Sequence, residues 1–65
     1  MKLRLLGVES GKNGCPALYA TDRDTFVVQG KLVTDGEAIA SLVDVREDEF
    51  YVEVPRHLLR FAAEA

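Results

Sequence analysis

The sequence predicts a small α+β domain: an antiparallel or mixed sheet of about four strands with two short helices, in the order β-β-β-α-β-α. Three observations predict it. Apolar and polar side chains alternate in residues 2–8 and again in residues 49–54; β-prone runs broken by turn residues lie between; and apolar side chains recur at three-to-four-residue spacing after Thr34 and after Pro55. The chain has 65 residues and reads as a single domain, 1–65, with no internal repeat or linker. A domain of this size buries only about 60% of the surface its unfolded chain exposes, so its stability is thin.

The elements follow in order. Lys2-Leu3-Arg4-Leu5 alternates with the two-residue period of a half-buried strand, placing Leu3 and Leu5 toward a core. Glu9 to Pro16, with its Asn-Gly pair, reads as an irregular loop. Ala17–Thr21 and Thr25–Val33 are β-prone runs joined by Asp22-Arg23-Asp24, a polar connection suited to a hairpin. Gly30 marks a bulge, a bend, or a turn that splits the second run into two shorter strands.

Thr34-Asp35-Gly36-Glu37 has capping-box spacing, and Ile39, Leu42 and Val43 then form a narrow apolar stripe about two turns long. Arg46 to Asp48 is a charged turn. Glu49-Phe50-Tyr51-Val52-Glu53-Val54 alternates most cleanly of all, and its Glu49 and Glu53 would complement Lys2 and Arg4 if the first and last strands were neighbours. Pro55 suits the first position of a closing helix, which carries Leu58, Phe61, Ala62 and Ala65 on one face. The expected core is therefore Leu3, Leu5, Phe26, Val28, Ile39, Leu42, Phe50, Val52, Leu58 and Phe61.

Composition narrows the functional classes. Apolar residues make up 48% of the chain, too many for a disordered one, and no run approaches the roughly 18 apolar residues of a membrane span. Nothing resembles a signal peptide, and the expected compartment is the cytoplasm. A net charge of −3 gives no global attraction to phosphate backbones, which disfavours nucleic acid as a partner. Between positions 35 and 53, seven acidic residues face only Arg46; a solvated acidic face is preferred there over a docking site for a basic partner.

No arrangement of residues declares a chemistry. Gly7 to Asn13 has three residues between its first two glycines where a phosphate-binding loop needs four, lacks the hydroxyl residue after Lys12, and leads into a strand. Cys15 is the single cysteine and His57 the single histidine, so neither a disulfide within the chain nor a structural zinc set can be assembled. Cys15 as a nucleophile would need His57 within reach, and a buried apolar thiol is the preferred reading. His57 reads as a helix-flank residue rather than a pH sensor. The carboxylates at 44 and 47–49 lack the alternating ligands and central glycine of a calcium loop. No cofactor is expected.

The segments Cys15-Pro16, Tyr19-Ala20-Thr21-Asp22-Arg23, Val27-Val28-Gln29-Gly30, Val33-Thr34-Asp35 and Val54-Pro55 together resemble a group of small actinobacterial proteins of unknown function, which are often encoded beside helix-turn-helix regulators. The resemblance spans most of the chain. It implies no catalytic residues, only a context, that of an accessory to a transcriptional regulator.

The expected function is that of a non-enzymatic protein-interaction module that pairs with itself or with another protein. Candidate surface residues are Tyr19, Phe26, Tyr51, Arg56 and Arg60, the two arginines lying four apart on one helical face. The alternative is a small-ligand-binding domain with a pocket between sheet and helices.

Overall fold

A computed structural model describes residues 1–9 and 16–65. The readings made for Lys12, for the Cys15 thiol and for the rest of the glycine-rich stretch from Ser10 onward lie outside the described residues. The fold is α+β. Strands β1 (Leu3–Val8), β2 (Ala17–Thr21) and β3 (Phe26–Gln29) form one antiparallel sheet in the order β1-β2-β3. Strands β4 (Lys31–Leu32) and β5 (Val52–Glu53) pair as a second, two-stranded sheet, with helix α1 (Gly36–Ala40) between them in sequence. A 3₁₀ helix, Arg56–Glu64, follows.

The β2–β3 connection is the hairpin that Asp22-Arg23-Asp24 predicts. Thr21 Oγ1 accepts hydrogen bonds from the backbone N–H groups of Arg23 at 3.0 Å and Thr25 at 3.2 Å. Asp24 takes a left-handed conformation (φ 61°), which a short polar side chain tolerates better than a branched one.

Gly30 splits the following run, as one of the alternatives for it held, and the sheet is therefore two sheets rather than one of four strands. A side chain there would not fit: a Cβ on Gly30 would lie 2.6 Å from Val54 Cγ1 and 3.0 Å from the Glu53 carbonyl oxygen. The last strand also finds a different neighbour from the one its charges suggest. β5 pairs with β4, and β1 with β2, so Glu49 and Glu53 do not complement Lys2 and Arg4 across adjacent strands. Only two residues pair in β5, because its partner offers only two; Val33 N–H donating to Tyr51 O extends the ladder by one bond.

Helix α1 is shorter than the two turns expected, and its cap sits one residue later. Asp35, not Thr34, is the N-cap, its Oδ2 accepting from Ala38 N–H at 2.9 Å. The helix stops at Ser41, whose hydroxyl donates back to the Glu37 carbonyl, and Val43 beyond it is 87% exposed. The turn at 46–49 forms as predicted, with Arg46 N–H donating to Glu49 Oε1 and Glu49 N–H to Arg46 O.

The core differs most from expectation. Ala17, Leu18 and Leu58 are its buried apolar residues. Of the ten core residues the sequence suggested, Leu58 alone is buried and Phe61 is half-buried. Leu3, Leu5, Phe26, Val28, Ile39, Leu42, Phe50 and Val52 are exposed. Register explains the sheet residues. Leu18 lies opposite Gly7 and Val28, and the 3₁₀ helix packs on that side, where a Cβ on Gly7 would clash with the Phe61 ring. Leu3 and Leu5 lie opposite Thr21 and Tyr19, on the other side. A bulge between Leu5 and Gly7 inserts Leu6, which lets Gly7 meet Leu18 while Leu5 meets Tyr19.

So thin a core leaves an extended particle. Its extents are 33 × 30 × 17 Å, and its radius of gyration is 13.0 Å, against about 10.7 Å for a compact chain of this length.

Candidate interaction surface

Strand register sorts the three-stranded sheet into two faces. One carries Arg4, Gly7, Leu18, Ala20, Phe26 and Val28 and holds the 3₁₀ helix. The other carries Leu3, Leu5 and Val8 from β1, Ala17, Tyr19 and Thr21 from β2, and Val27 and Gln29 from β3. Among the described residues no charged side chain stands on this second face, which is unusual for a surface open to water. It is open: Leu3 is 49% and Leu5 54% exposed. One end is closed over by polar bonding, where Tyr19 Oη donates to Gln29 Oε1 at 2.7 Å across the β2–β3 pair, beside the buried Ala17.

The predicted surface residues do not form one patch. Tyr19 belongs to the open face, Phe26 to the helix-bearing face, and Tyr51 to the chain segment just before β5. Arg56 and Arg60 are exposed on the 3₁₀ helix, but with three residues per turn a spacing of four puts them about 120° apart, so they do not share the face an α-helix would give them. The same winding aligns Leu58 with Phe61, three apart, against the sheet.

Arg60 has a structural task. Its Nη1 donates to Glu9 Oε1 at 3.0 Å and to the His57 carbonyl at 2.8 Å, and its guanidinium carbon sits 4.0 Å from the centroid of the Phe61 ring. His57 Nδ1 lies 3.3 Å from the same Glu9 oxygen. Phe61 is thus held between the Gly7 backbone and the Arg60 guanidinium, with Glu9 tethering the helix to the end of β1. Nothing in the sequence marked Glu9 for this, because its partners stand about fifty residues away. With Arg60 and His57 both solvent-exposed, Glu9→Gln should cost less than about 1 kcal/mol of stability, measured by urea unfolding at low and high salt.

A shallow depression of about 190 Å³ lies at the β1–β2 rim, lined by Lys2, Leu3, Arg4, Ala20, Thr21 and Asp22. It is smaller than the roughly 300–1,000 Å³ usual for small-molecule sites. Among the described residues no three His, Cys, Asp or Glu side chains gather where a metal ion could be held. No helix among them is long and apolar enough to cross a membrane.

Fold and surface together define a small α+β domain whose sheet is covered by a helix on one side and presents an uncharged face on the other. No family model matches the chain, and neither a curated protein nor a solved structure shows significant similarity to it.

Proposed function

We propose that this chain is a non-enzymatic protein-interaction module whose working surface is the uncharged face of the β1-β2-β3 sheet. The observation that carries the reading is Leu3 and Leu5 half-exposed beside Tyr19 and Val27, on a face where no described residue carries a charge. A sheet face of that composition gains free energy when another polypeptide covers it, at roughly 25 cal/mol per Å² of apolar surface. The association with a transcriptional regulator is a further proposal that rests on the sequence resemblance alone.

Leu5→Asp tests the reading, because a half-exposed position tolerates a charge in the isolated fold far better than in an interface. The variant should stay folded by circular dichroism while losing the sedimenting assembly, or the specific partner, of the wild type. Wild type and variant with identical sedimentation and identical bound partners would show that the face is not used.

A further inference from the structure

We propose that two copies of this chain join antiparallel through the outer edge of β1, so that two three-stranded sheets run on as one. The proposal goes beyond the interaction reading above, which concerns the face of the sheet, and stands without it.

Backbone direction is the first ground. β1 is an edge strand, with β2 as its neighbour. Asp22 N–H donates to Lys2 O at one end of that pair, and Glu9 N–H donates to Pro16 O at the other. Backbone groups of successive residues in an antiparallel strand turn alternately to either side. Lys2, Arg4, Gly7 and Glu9 therefore turn toward β2, and the N–H and C=O groups of Leu3, Leu5 and Val8 turn outward. Among the described residues these outward groups have no backbone partner. Such a row is a template for another strand.

The bulge at Leu6 determines which strand fits. It shifts the phase between the two halves of β1, so that Leu3, Leu5 and Val8 share the outward direction and the uncharged face. Lys2, Arg4, Gly7 and Glu9 share the inward direction and the helix-bearing face, where Glu9 meets Arg60. A second β1 laid antiparallel then matches the first along its whole length: Leu3 opposite the second copy's Val8, Arg4 opposite its Gly7, Lys2 opposite its Glu9. Each Leu3 and Val8 exchange two backbone hydrogen bonds, and a two-fold axis repeats every contact. Without the bulge, this register would set each residue against one on the opposite face.

Charge selects the register. Among the described residues Lys2 has no acidic side chain within ion-pair distance, and Glu9 receives both Arg60 and His57 at Oε1. Pairing across the two-fold gives Lys2 a carboxylate at either end of the seam. Sliding the second copy until Arg4 faces Arg4, or Lys2 faces Arg4, also aligns the backbone groups, but it sets like charges directly opposite, which is destabilising. Sliding it the other way, Leu5 against Val8, sets Arg4 against Glu9 and leaves Leu3 unpaired. The basic residues thus repel most registers and admit one that the chain itself supplies. In the resulting sheet both 3₁₀ helices lie on one side and the two uncharged faces merge on the other.

Sedimentation and amide exchange test it. Wild type should be a dimer at high micromolar concentration, with the Leu3 and Val8 amide protons exchanging several-fold more slowly there than on dilution to monomer. Val8→Pro removes an outward N–H that the monomer does not use, and should abolish the dimer with the circular dichroism spectrum unchanged. Val8→Ala trims the same side chain but keeps the N–H, and should dimerise like the wild type; loss of the dimer in Val8→Ala as well would place the contact on the sheet face instead. Lys2→Glu, an exposed change that leaves the fold alone, should raise the dimer dissociation constant roughly tenfold by opposing carboxylates at both ends of the seam. Arg4→Glu weakening the dimer more than Lys2→Glu would overturn the register. A dimer that survives Val8→Pro would overturn the edge as its seam. A chain that stays monomeric, with Leu3 and Val8 amides exchanging equally fast at every concentration, would overturn the second copy as partner.

Discussion

Leu58→Ala should abolish cooperative folding. Leu58 is fully buried and, with Leu18, is one of the largest buried side chains among the described residues. Truncating a buried leucine costs about 2–5 kcal/mol, the sum of lost transfer free energy and the cavity left behind. A core of this size supplies only about 3–5 kcal/mol in all, so the loss matches the whole. Far-UV circular dichroism of the variant should show no sigmoidal thermal transition at concentrations where the wild type shows one. A transition surviving within a few degrees of the wild type would mean that the fold is held mainly elsewhere than at the junction of sheet and 3₁₀ helix.

Gly7→Ala should be the next most damaging change, for the opposite reason. The Phe61 ring occupies the space that an alanine methyl would need, and the obstruction is a ring already enclosed by the Arg60 guanidinium on its other side. Overpacking of this kind costs about 1–3 kcal/mol. The ring cannot retreat without breaking the Arg60 contact, so the damage should spread. Urea unfolding should shift to lower midpoint, and in the NMR spectrum the ring-current shifts of the residue 7 α-proton and of the Arg60 side chain should collapse together. A shift at residue 7 with Arg60 unmoved would separate the two contacts.

Both predictions fall on the same small junction, and the uncovered surfaces follow from its size. The 3₁₀ helix covers one side of the sheet through Leu58 and Phe61, and among the described elements no second layer packs comparably on the other. Association through the proposed interaction surface would add stability, and the melting temperature should then rise with protein concentration.

Much of this architecture was legible in the residues. Alternation located β1; Asp22-Arg23-Asp24 marked the hairpin; Gly30 marked a break; and Pro55 marked the start of the last helix. These are local effects, set by backbone sterics and by hydrogen bonds within a few residues. The polar cap at Asp35 belongs with them, misjudged by one position because Thr34 and Asp35 can both accept a helical N–H.

What the chain order could not determine is which side of each alternating element meets the core. Period two shows that Leu3 and Leu5 share a side, but the covered side is decided by where the 3₁₀ helix lands, and that depends on Phe61 fitting against a glycine more than fifty residues earlier. The candidate surface was hidden for the same reason, since Leu3 and Leu5 read as core until the register put them opposite Tyr19 and Thr21. Helix type also came from tertiary structure: Arg56 and Arg60 share a face at 3.6 residues per turn and lose it at three. Local sterics and hydrogen bonding thus settle which segments are strands and turns. Packing between distant segments settles which of their faces are covered and which are left exposed.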